Sequence, residues 1–372
     1  MEPAKPVALG APEAPPGAPE APPAGRVNLF GKSREELRQL LLPVLGQSYR
    51  VDQVYRALYY RNLASFDQLT ELSKGDRARL AEVFQLSRPA ISKRHMSADG
   101  TEKVLFELAD GATIETVDIP DQKRRTLCLS SQAGCALACR FCVTGFWGAG
   151  RNLEPGEILA QVFALQKSLP LLPESINLVF MGMGEPLLNL PALRAACEIL
   201  MEQISWRRIT VSTAGVVPGI LELAEWPRRP ELAISLHAPD QERRSELMPI
   251  NRKYPLAELI EAARAFPLTA QERITFEYIP FAGFNDSLAD ATMLARLLSG
   301  VRAKVNLIPL NPDAVLPADL LPSPPEQVAA FQRRLQEKGL LATIRRRRGS
   351  DVSAACGQLR SPSRPPRGRI QR

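Results

Sequence analysis

The chain contains no run of 18 or more apolar residues, which excludes a membrane-spanning helix. Its start has neither the basic segment nor the apolar core of a secretory signal, so a cytoplasmic protein is expected. Cysteine is scarce: six residues unevenly spread over 372 do not form the disulfide framework of a secreted scaffold. Histidine occurs only twice, and no internal repeat of short period is present. Acidic residues almost vanish from the C-terminal end. Residues 345–372 hold nine arginines against one acid, Asp351, so the rest of the chain is close to neutral although the net charge is +7. A near-neutral body with an arginine-only end points to a polyanionic partner. Arginine's planar fork suits phosphates and stacks on bases, which favours RNA over a solvated tail with no fixed partner.

What is present divides the chain. Residues 1–25 hold eight Pro, seven Ala and three Gly without apolar periodicity, so a disordered extension over 1–26 is expected. Residues 27–90 read as a small helical domain that could bind RNA. Ser33 stands as N-cap with Glu36 placed for a capping box, and further helical patterns cover 51–60 and 74–84. Two alternating strands over 103–108 and 112–119, around Asp110-Gly111, predict a β-hairpin extension within 91–120. From 121 to 348 apolar runs at 126–131, 176–181, 208–213, 232–236, 273–279 and 304–309 alternate with helical stretches, and a last strand is expected near 341–345. Six β-then-α units imply a parallel sheet curved into a partial (β/α)6-type barrel, an α/β fold. Residues 349–360 form a loop flanked by Gly349 and Gly357, and 361–372 a basic tail.

In such a barrel the reactive groups gather at the C-terminal ends of the strands. The first strand runs into Cys135, Cys139 and Cys142, a C-x3-C-x2-C triplet. Three thiolates are one short of a tetrahedral zinc site or a fully ligated four-iron cluster. A cluster held by three would keep one iron open for substrate. Structural zinc, with Cys128 as a fourth thiolate, is the alternative. The second strand ends in Gly184-Glu185-Pro186, the third at Ser212, the fourth at Ser235-Leu236-His237 and the sixth at Asn311.

The triplet followed by a strand and Gly-Glu-Pro is similar to the radical S-adenosylmethionine (SAM) enzymes. Within them, residues 126–145, 180–189, 235–255, 274–287, 306–312 and 354–359 together resemble the RlmN family of adenine C2-methyltransferases. That resemblance implies a [4Fe-4S] cluster on Cys135, Cys139 and Cys142, with SAM contacts from Gly184, Glu185, Ser212, Ser235, Leu236, His237 and Asn311. It also implies two SAM per turnover: one methylates Cys356, and one is cleaved to a radical that activates the Cys356 methyl for addition to adenine. Cys128 would then resolve the covalent RNA adduct through a transient disulfide with Cys356, and Glu115 would accept the C2 proton. The implied partners are 23S rRNA near the peptidyl-transferase centre, tRNA beside the anticodon, and a reductant such as flavodoxin, with a monomeric enzyme and no membrane. The sister group Cfr, which methylates C8, shares the triplet and both extra cysteines. A non-catalytic zinc or iron–sulfur RNA-binding protein is the reading from another class. Taken alone, Glu115 is an ordinary residue of an alternating strand and Cys128 an ordinary cysteine of an apolar one. Cys197 reads as core.

Overall fold

The computed structural model describes residues 25–121, 124–166, 176–354 and 357–360. The proline-rich extension expected up to residue 26 lies almost wholly outside them, and the tail over 361–372 entirely so. Local chemistry sets the helical domain. Ser33 accepts from the Glu36 N–H at 3.2 Å while Glu36 accepts from the Ser33 N–H at 2.8 Å, the expected capping box. The helix that follows, Arg34–Leu45, buries Leu37, Leu41 and Leu45 and closes on Gly46, whose left-handed φ of 72° lets its N–H reach the Leu42 carbonyl. Helices Ser48–Tyr59 and Lys74–Val83 complete the unit with a single turn at Phe66–Gln68 between them. A two-residue strand at each end, β1 (Val27–Asn28) and β2 (Phe84–Gln85), pairs in parallel and ties entry to exit.

The remaining strands form one ten-stranded sheet. They are β3 (Ala90–Met96), β4 (Glu102–Glu107), β5 (Thr113–Pro120), β6 (Arg125–Cys128), β7 (Ile176–Phe180), β8 (Ile209–Thr213), β9 (Glu231–Ser235), β10 (Ile274–Tyr278), β11 (Ala303–Leu307) and β12 (Leu341–Ile344). Each strand pairs with its neighbour in sequence; β3 to β6 run antiparallel and β6 to β12 parallel. The edges β3 and β12 do not pair with each other, so the barrel is partial, as expected. The hairpin is present as β4 and β5, with Gly111 at φ 77° in its turn. It carries a third strand, β3, that the polar run 90–96 does not reveal. Through β5 and β6, where Val117 sits opposite Cys128, this antiparallel part is continuous with the barrel sheet.

The crossover helices cover the outside of the parallel strands. Pro155 and Pro191 lie in first turns, where a missing N–H costs nothing. The helix Leu190–Leu200 shows the pattern of burial: Leu193, Ala196, Cys197 and Leu200 are wholly enclosed, which places Cys197 in the core as read from the sequence. Each buried leucine of this kind contributes about 1.5–3 kcal/mol.

The helical domain docks on these outer helices. Phe30 lies 5.9 Å, edge-on, from Phe163, and Gly31 approaches the Gly156 backbone so closely that a Cβ there would sit 2.4 Å from its nitrogen. Glu202 collects three donors from the domain: Tyr55 Oη at 2.8 Å, Tyr60 Oη at 3.0 Å and Arg34 Nη2 at 3.1 Å. Removing that acceptor strands Tyr55 Oη in a buried contact. We therefore expect Glu202→Ala to lower unfolding stability by about 1–3 kcal/mol. Urea melts showing an unchanged midpoint would mean that the docking does not depend on this carboxylate.

Candidate active site

The ends of the strands open onto a cavity of about 490 Å3 whose lining includes Cys128, Met181, Asn311, Ala354 and Leu359. Cys128 ends β6, and the chain continues beside β7: the Leu129 N–H reaches the Val179 carbonyl and the Ser131 N–H that of Met183, each at 2.8 Å. The cysteine loop then folds back on itself through glycine. A Cβ on Gly150 would lie 1.8 Å from the Ala133 carbonyl oxygen, and one on Gly134, at φ 139°, would lie 2.7 Å from that of Gly148. Neither position admits a side chain. The Cys135 N–H donates to the Gly148 carbonyl at 2.9 Å, Ala138 takes a left-handed φ of 51°, and the Cys142 N–H closes on the Cys139 carbonyl at 3.1 Å. The short helix Val143–Trp147 starts directly after it.

This loop brings three thiols within electrostatic reach of one another. Burial, then the charge of Cys142, pushes the Cys135 thiol up to about 12. Cys139 is raised well above its ordinary value, first by burial and then by Cys135, Cys142 and Glu185. Such a set disfavours thiolates unless a cationic group is bound among them, which is the donor chemistry an iron–sulfur cluster requires. Among the described residues no three His, Cys, Asp or Glu side chains converge on a point able to hold a single metal ion. Three thiols on one loop are a donor set that fits an iron–sulfur cluster.

Glu185 lies beside the triplet, 3% exposed. Its backbone N–H donates to Gln132 Oε1 at 2.8 Å, and its two carboxylate oxygens accept from the N–H groups of Leu187 at 3.1 Å and Ala214 at 2.7 Å. Burial dominates nonetheless and pushes its carboxyl up to about 7. Gly184 takes φ 99°, and a Cβ there would meet Gln132 Cβ at 2.5 Å. Ser212 is half-buried in β8 and Ser235 ends β9 half-buried. The N–H of Leu236 donates to the Glu277 carbonyl at 3.0 Å. His237, at φ 57°, accepts from the Ile279 N–H through Nδ1 at 3.1 Å, and burial, then Arg244, depresses its pKa to about 3. It is a neutral, structural imidazole. Of the expected SAM contacts, Asn311 is among the described residues that line the cavity with Cys128, and Glu185 lies within electrostatic reach of Cys135 and Cys139.

Cys356 lies outside the described residues, but its flanks are held on both sides. The Val143 N–H donates to the Gly357 carbonyl at 2.7 Å and Thr144 Oγ1 to that of Leu359 at 2.6 Å, which pins the C-terminal loop to the helix after Cys142. Glu115 completes the clamp. It is buried, not exposed as its alternating strand suggests, because β5 is covered on both faces. Thr116 bonds Gln161 of the helix Pro155–Phe163 on one side; on the other, Glu115 Oε2 accepts from the Arg360 N–H at 2.9 Å. Its Oε1 lies 3.0 Å from Lys103 Nζ, which also donates to the Ser353 carbonyl at 3.3 Å.

Two residue ranges match known families: 27–86 the ribosomal RNA large subunit methyltransferase N-terminal domain, and 129–294 the Radical SAM superfamily. The chain is 43% identical, over 97% of its length and 99% of the relative's, to the dual-specificity RNA methyltransferase RlmN of Anaeromyxobacter sp. (strain Fw109-5). The chain belongs to the RlmN family. The RlmN of Syntrophobacter fumaroxidans is 46% identical over 87% of this chain and 95% of that protein. A radical SAM methyltransferase from Sphaerobacter thermophilus, solved by crystallography, superposes with a TM-score of 0.84 at 42% identity, covering 90% of this chain and 99% of its own. Membership of the RlmN family makes the protein an RNA methyltransferase, and the radical SAM superfamily implies SAM and an iron–sulfur cluster.

Two polar residues of the RlmN-type site escape sequence reasoning. Arg244 is fully buried without a carboxylate beside it; Nη1 donates to Asn251 Oδ1, and Nη2 to the carbonyls of Ala214 at 2.7 Å and Ser235 at 3.1 Å. It ties the ends of β8 and β9 together and its charge favours the Cys139 thiolate. Lys103 is the other. In the β4–β5 register Leu105 faces Glu115, so Lys103 stands diagonal to it on the same face. The only available signal was the i, i+2 spacing, which many exposed lysines share. Lys103→Met should destabilise the fold by about 3–5 kcal/mol by leaving a buried carboxylate unpaired. The double variant Lys103→Met/Glu115→Gln should recover much of that loss in denaturant melts. Equal losses in the single and double variants would show that the pair is not the cause.

Proposed function

We propose that this chain methylates C2 of an adenosine in 23S rRNA at the peptidyl-transferase centre, and of the adenosine beside the anticodon of tRNA, as a cytoplasmic monomer. One observation carries this reading: Cys128 lines the same cavity as Ala354 and Leu359, which bracket Cys356 in sequence, while the triplet lies one hydrogen bond away through Val143 and Gly357. In sequence, Cys128 and Cys356 add two thiols to the three of the triplet, more than electron transfer alone requires.

Cys135, Cys139 and Cys142 would hold a [4Fe-4S] cluster, and Gly184, Glu185, Ser212, Ser235, Leu236, His237 and Asn311 would hold SAM. When bound, this pair of groups supplies a 5′-deoxyadenosyl radical by one-electron cleavage of the sulfonium bond. Cys356 would carry the methyl group delivered by a first SAM and, once that group is activated, would join its carbon to C2, a position too electron-poor to attack a methyl group itself. Glu115 would accept the C2 proton, the odd electron of the adduct being taken back by the cofactor pair. The Cys128 thiolate would then attack the Cys356 sulfur, forming a disulfide as the S–CH2 bond breaks, and the released carbon would take up a proton and stay on the RNA as a methyl group. A reductant such as flavodoxin would supply the electron for the cleavage, and two further electrons would reopen the disulfide. The helical domain over 27–90 and the tail over 361–372 hold the folded RNA, the hairpin of 91–120 braces the barrel of 121–348, and the loop 349–360 delivers Cys356.

The decisive experiment contrasts the two cysteines. Cys356→Ala should give no adduct and no methyladenosine. Cys128→Ala should stall after less than one turnover as protein covalently joined to RNA, visible as a nucleotide-bearing band after nuclease digestion. Well-folded, cluster-loaded Cys128→Ala that forms no adduct with SAM, reductant and RNA would overturn the mechanism.

A second expectation concerns pH. Because the Glu185 carboxyl is pushed up to about 7, receiving the SAM ammonium must displace a proton from it below that pH. SAM affinity should therefore weaken as pH falls below about 7, approaching tenfold per unit, and the dependence should vanish in Glu185→Gln. A flat profile in the parent protein, by calorimetry, would remove Glu185 from the ammonium site.

A further inference from the structure

Four consecutive arginines, Arg345, Arg346, Arg347 and Arg348, form one wall of the cavity that contains Cys128, and Asp121 is the one carboxylate among its described lining residues. They are not equivalent. The Arg345 N–H extends β12 by donating to the Leu307 carbonyl at 2.8 Å, and its guanidinium rests 3.8 Å from the Met181 sulfur, within the field of the Glu277 carboxyl. Arg348 faces Asp99 at 4.0 Å and Asp121 at 3.9 Å. Arg347 is exposed and gives one N–H to the Leu310 carbonyl at 2.9 Å. Arg346 is exposed and has no hydrogen-bond or ion-pair partner among the described residues.

Like charges on successive residues repel, and here the β11 pairing that runs to Ile344, prolonged by the Arg345 N–H, delivers them to the mouth of a cavity. Two of the four meet carboxylates or a sulfur; the other two are exposed, Arg347 with one N–H committed to the Leu310 carbonyl and the rest of its fork available. A ligand that satisfies this arrangement is neutral where it enters and doubly anionic where it stays outside. A nucleotide turned out of an RNA strand fits that description: the base goes in, and the phosphates on either side of it remain at the rim.

We propose that Arg346 and Arg347 bind the two phosphodiesters flanking the adenosine that enters this cavity, with Arg345 and Arg348 as the struts that hold them there. The proposal rests on the RNA-methylating function proposed above and adds where the substrate backbone is gripped.

The test uses the full-length, cluster-loaded protein and a stem-loop RNA with a single loop adenosine, followed by fluorescence anisotropy over a salt series. Arg346→Ala/Arg347→Ala should weaken binding about tenfold or more near 0.1 M salt, and flatten the log–log salt slope by about 0.7 per lost contact. RNA carrying neutral methylphosphonates at the two flanking linkages should lose the same affinity for the parent protein and no more for the variant, as expected when both changes remove one interaction. Arg346→Lys/Arg347→Lys should keep the slope while binding several-fold less tightly, since lysine retains the charge but not the bidentate fork. Should the alanine pair melt early or lose iron, the lysine pair and the methylphosphonate RNA decide the matter alone. Unchanged affinity and slope would overturn the proposal. So would a loss of SAM affinity in place of RNA affinity, which would assign the arginines to the cofactor carboxylate, or indifference to the neutral linkages. Failure of the underlying function is separately visible: the parent protein would then leave no methyladenosine in the RNA, whatever the variants bind.

Discussion

Three thiols on one tight loop, with Cys135 and Cys139 made harder to ionise by burial and by their neighbours, are the constraint around which the rest of the site is arranged. Left to themselves such groups move apart or are drawn out to solvent. Here backbone contacts prevent both. Gly134 and Gly150 let two turns of the loop touch at distances no Cβ would tolerate, so main-chain hydrogen bonds help to set the loop's shape. Preorganisation of that kind moves the entropy of ordering the ligands into folding. It also explains why the segment after Cys142 can serve as a fixed shelf: the N–H of Val143 and the hydroxyl of Thr144 point at the C-terminal loop, and both find carbonyls there.

A second arrangement, on the other side of the strand ends, meets the first through that loop. Lys103 and Glu115, paired with each other, hold the Ser353 carbonyl and the Arg360 N–H, one on each side of Ala355 and Cys356 in the chain. The antiparallel part of the sheet supplies both residues, and the parallel part supplies the cysteines. Because β5 pairs directly with β6, the two sets are fixed in one hydrogen-bonded ladder: Val117 is opposite Cys128, and Glu115 is two residues away along the same strand. The hairpin is thus positioned to act on the carrier loop with the same rigidity that positions the thiols.

Much of this was legible in the sequence. Strands buried in a parallel sheet appear as short apolar runs, and every run read between 126 and 309 overlaps a strand from β6 to β11. Ser33 with Glu36 declared a helix start by the chemistry of its cap. The cysteine spacing and Gly184-Glu185 marked strand ends that do converge. The misses have a common physical origin, since they depend on what covers a residue and not on the residue. β3 exposes most of its side chains at a sheet edge, so it has no apolar face to show. Glu115 alternates with apolar neighbours as an exposed residue would, and becomes buried only because a segment some 245 positions away in the chain packs over it. The four arginines before Gly349 look like the start of a basic tail, yet strand pairing turns them into a cavity wall.

Arg244 shows the same limit most sharply. In sequence it is one of two adjacent arginines in a helix with acids nearby, the pattern of a solvated face. Its neighbour fits that pattern: Arg243 pairs with Asp240 and Asp290. Arg244 points the other way and is enclosed, with carbonyl oxygens and one amide in place of a carboxylate. A buried cation answered only by dipoles is costly to fold. That cost is offset where anions are to be accommodated nearby, and the thiols of Cys139 and its neighbours provide them once ionised. The depressed pKa of His237, lowered in part by the same charge, indicates how far the field of Arg244 extends: it withholds a proton from the imidazole and favours its loss from the thiol. Burial keeps the imidazole neutral with Arg244 adding to it, and the same guanidinium offsets part of the burial that opposes ionisation of Cys139.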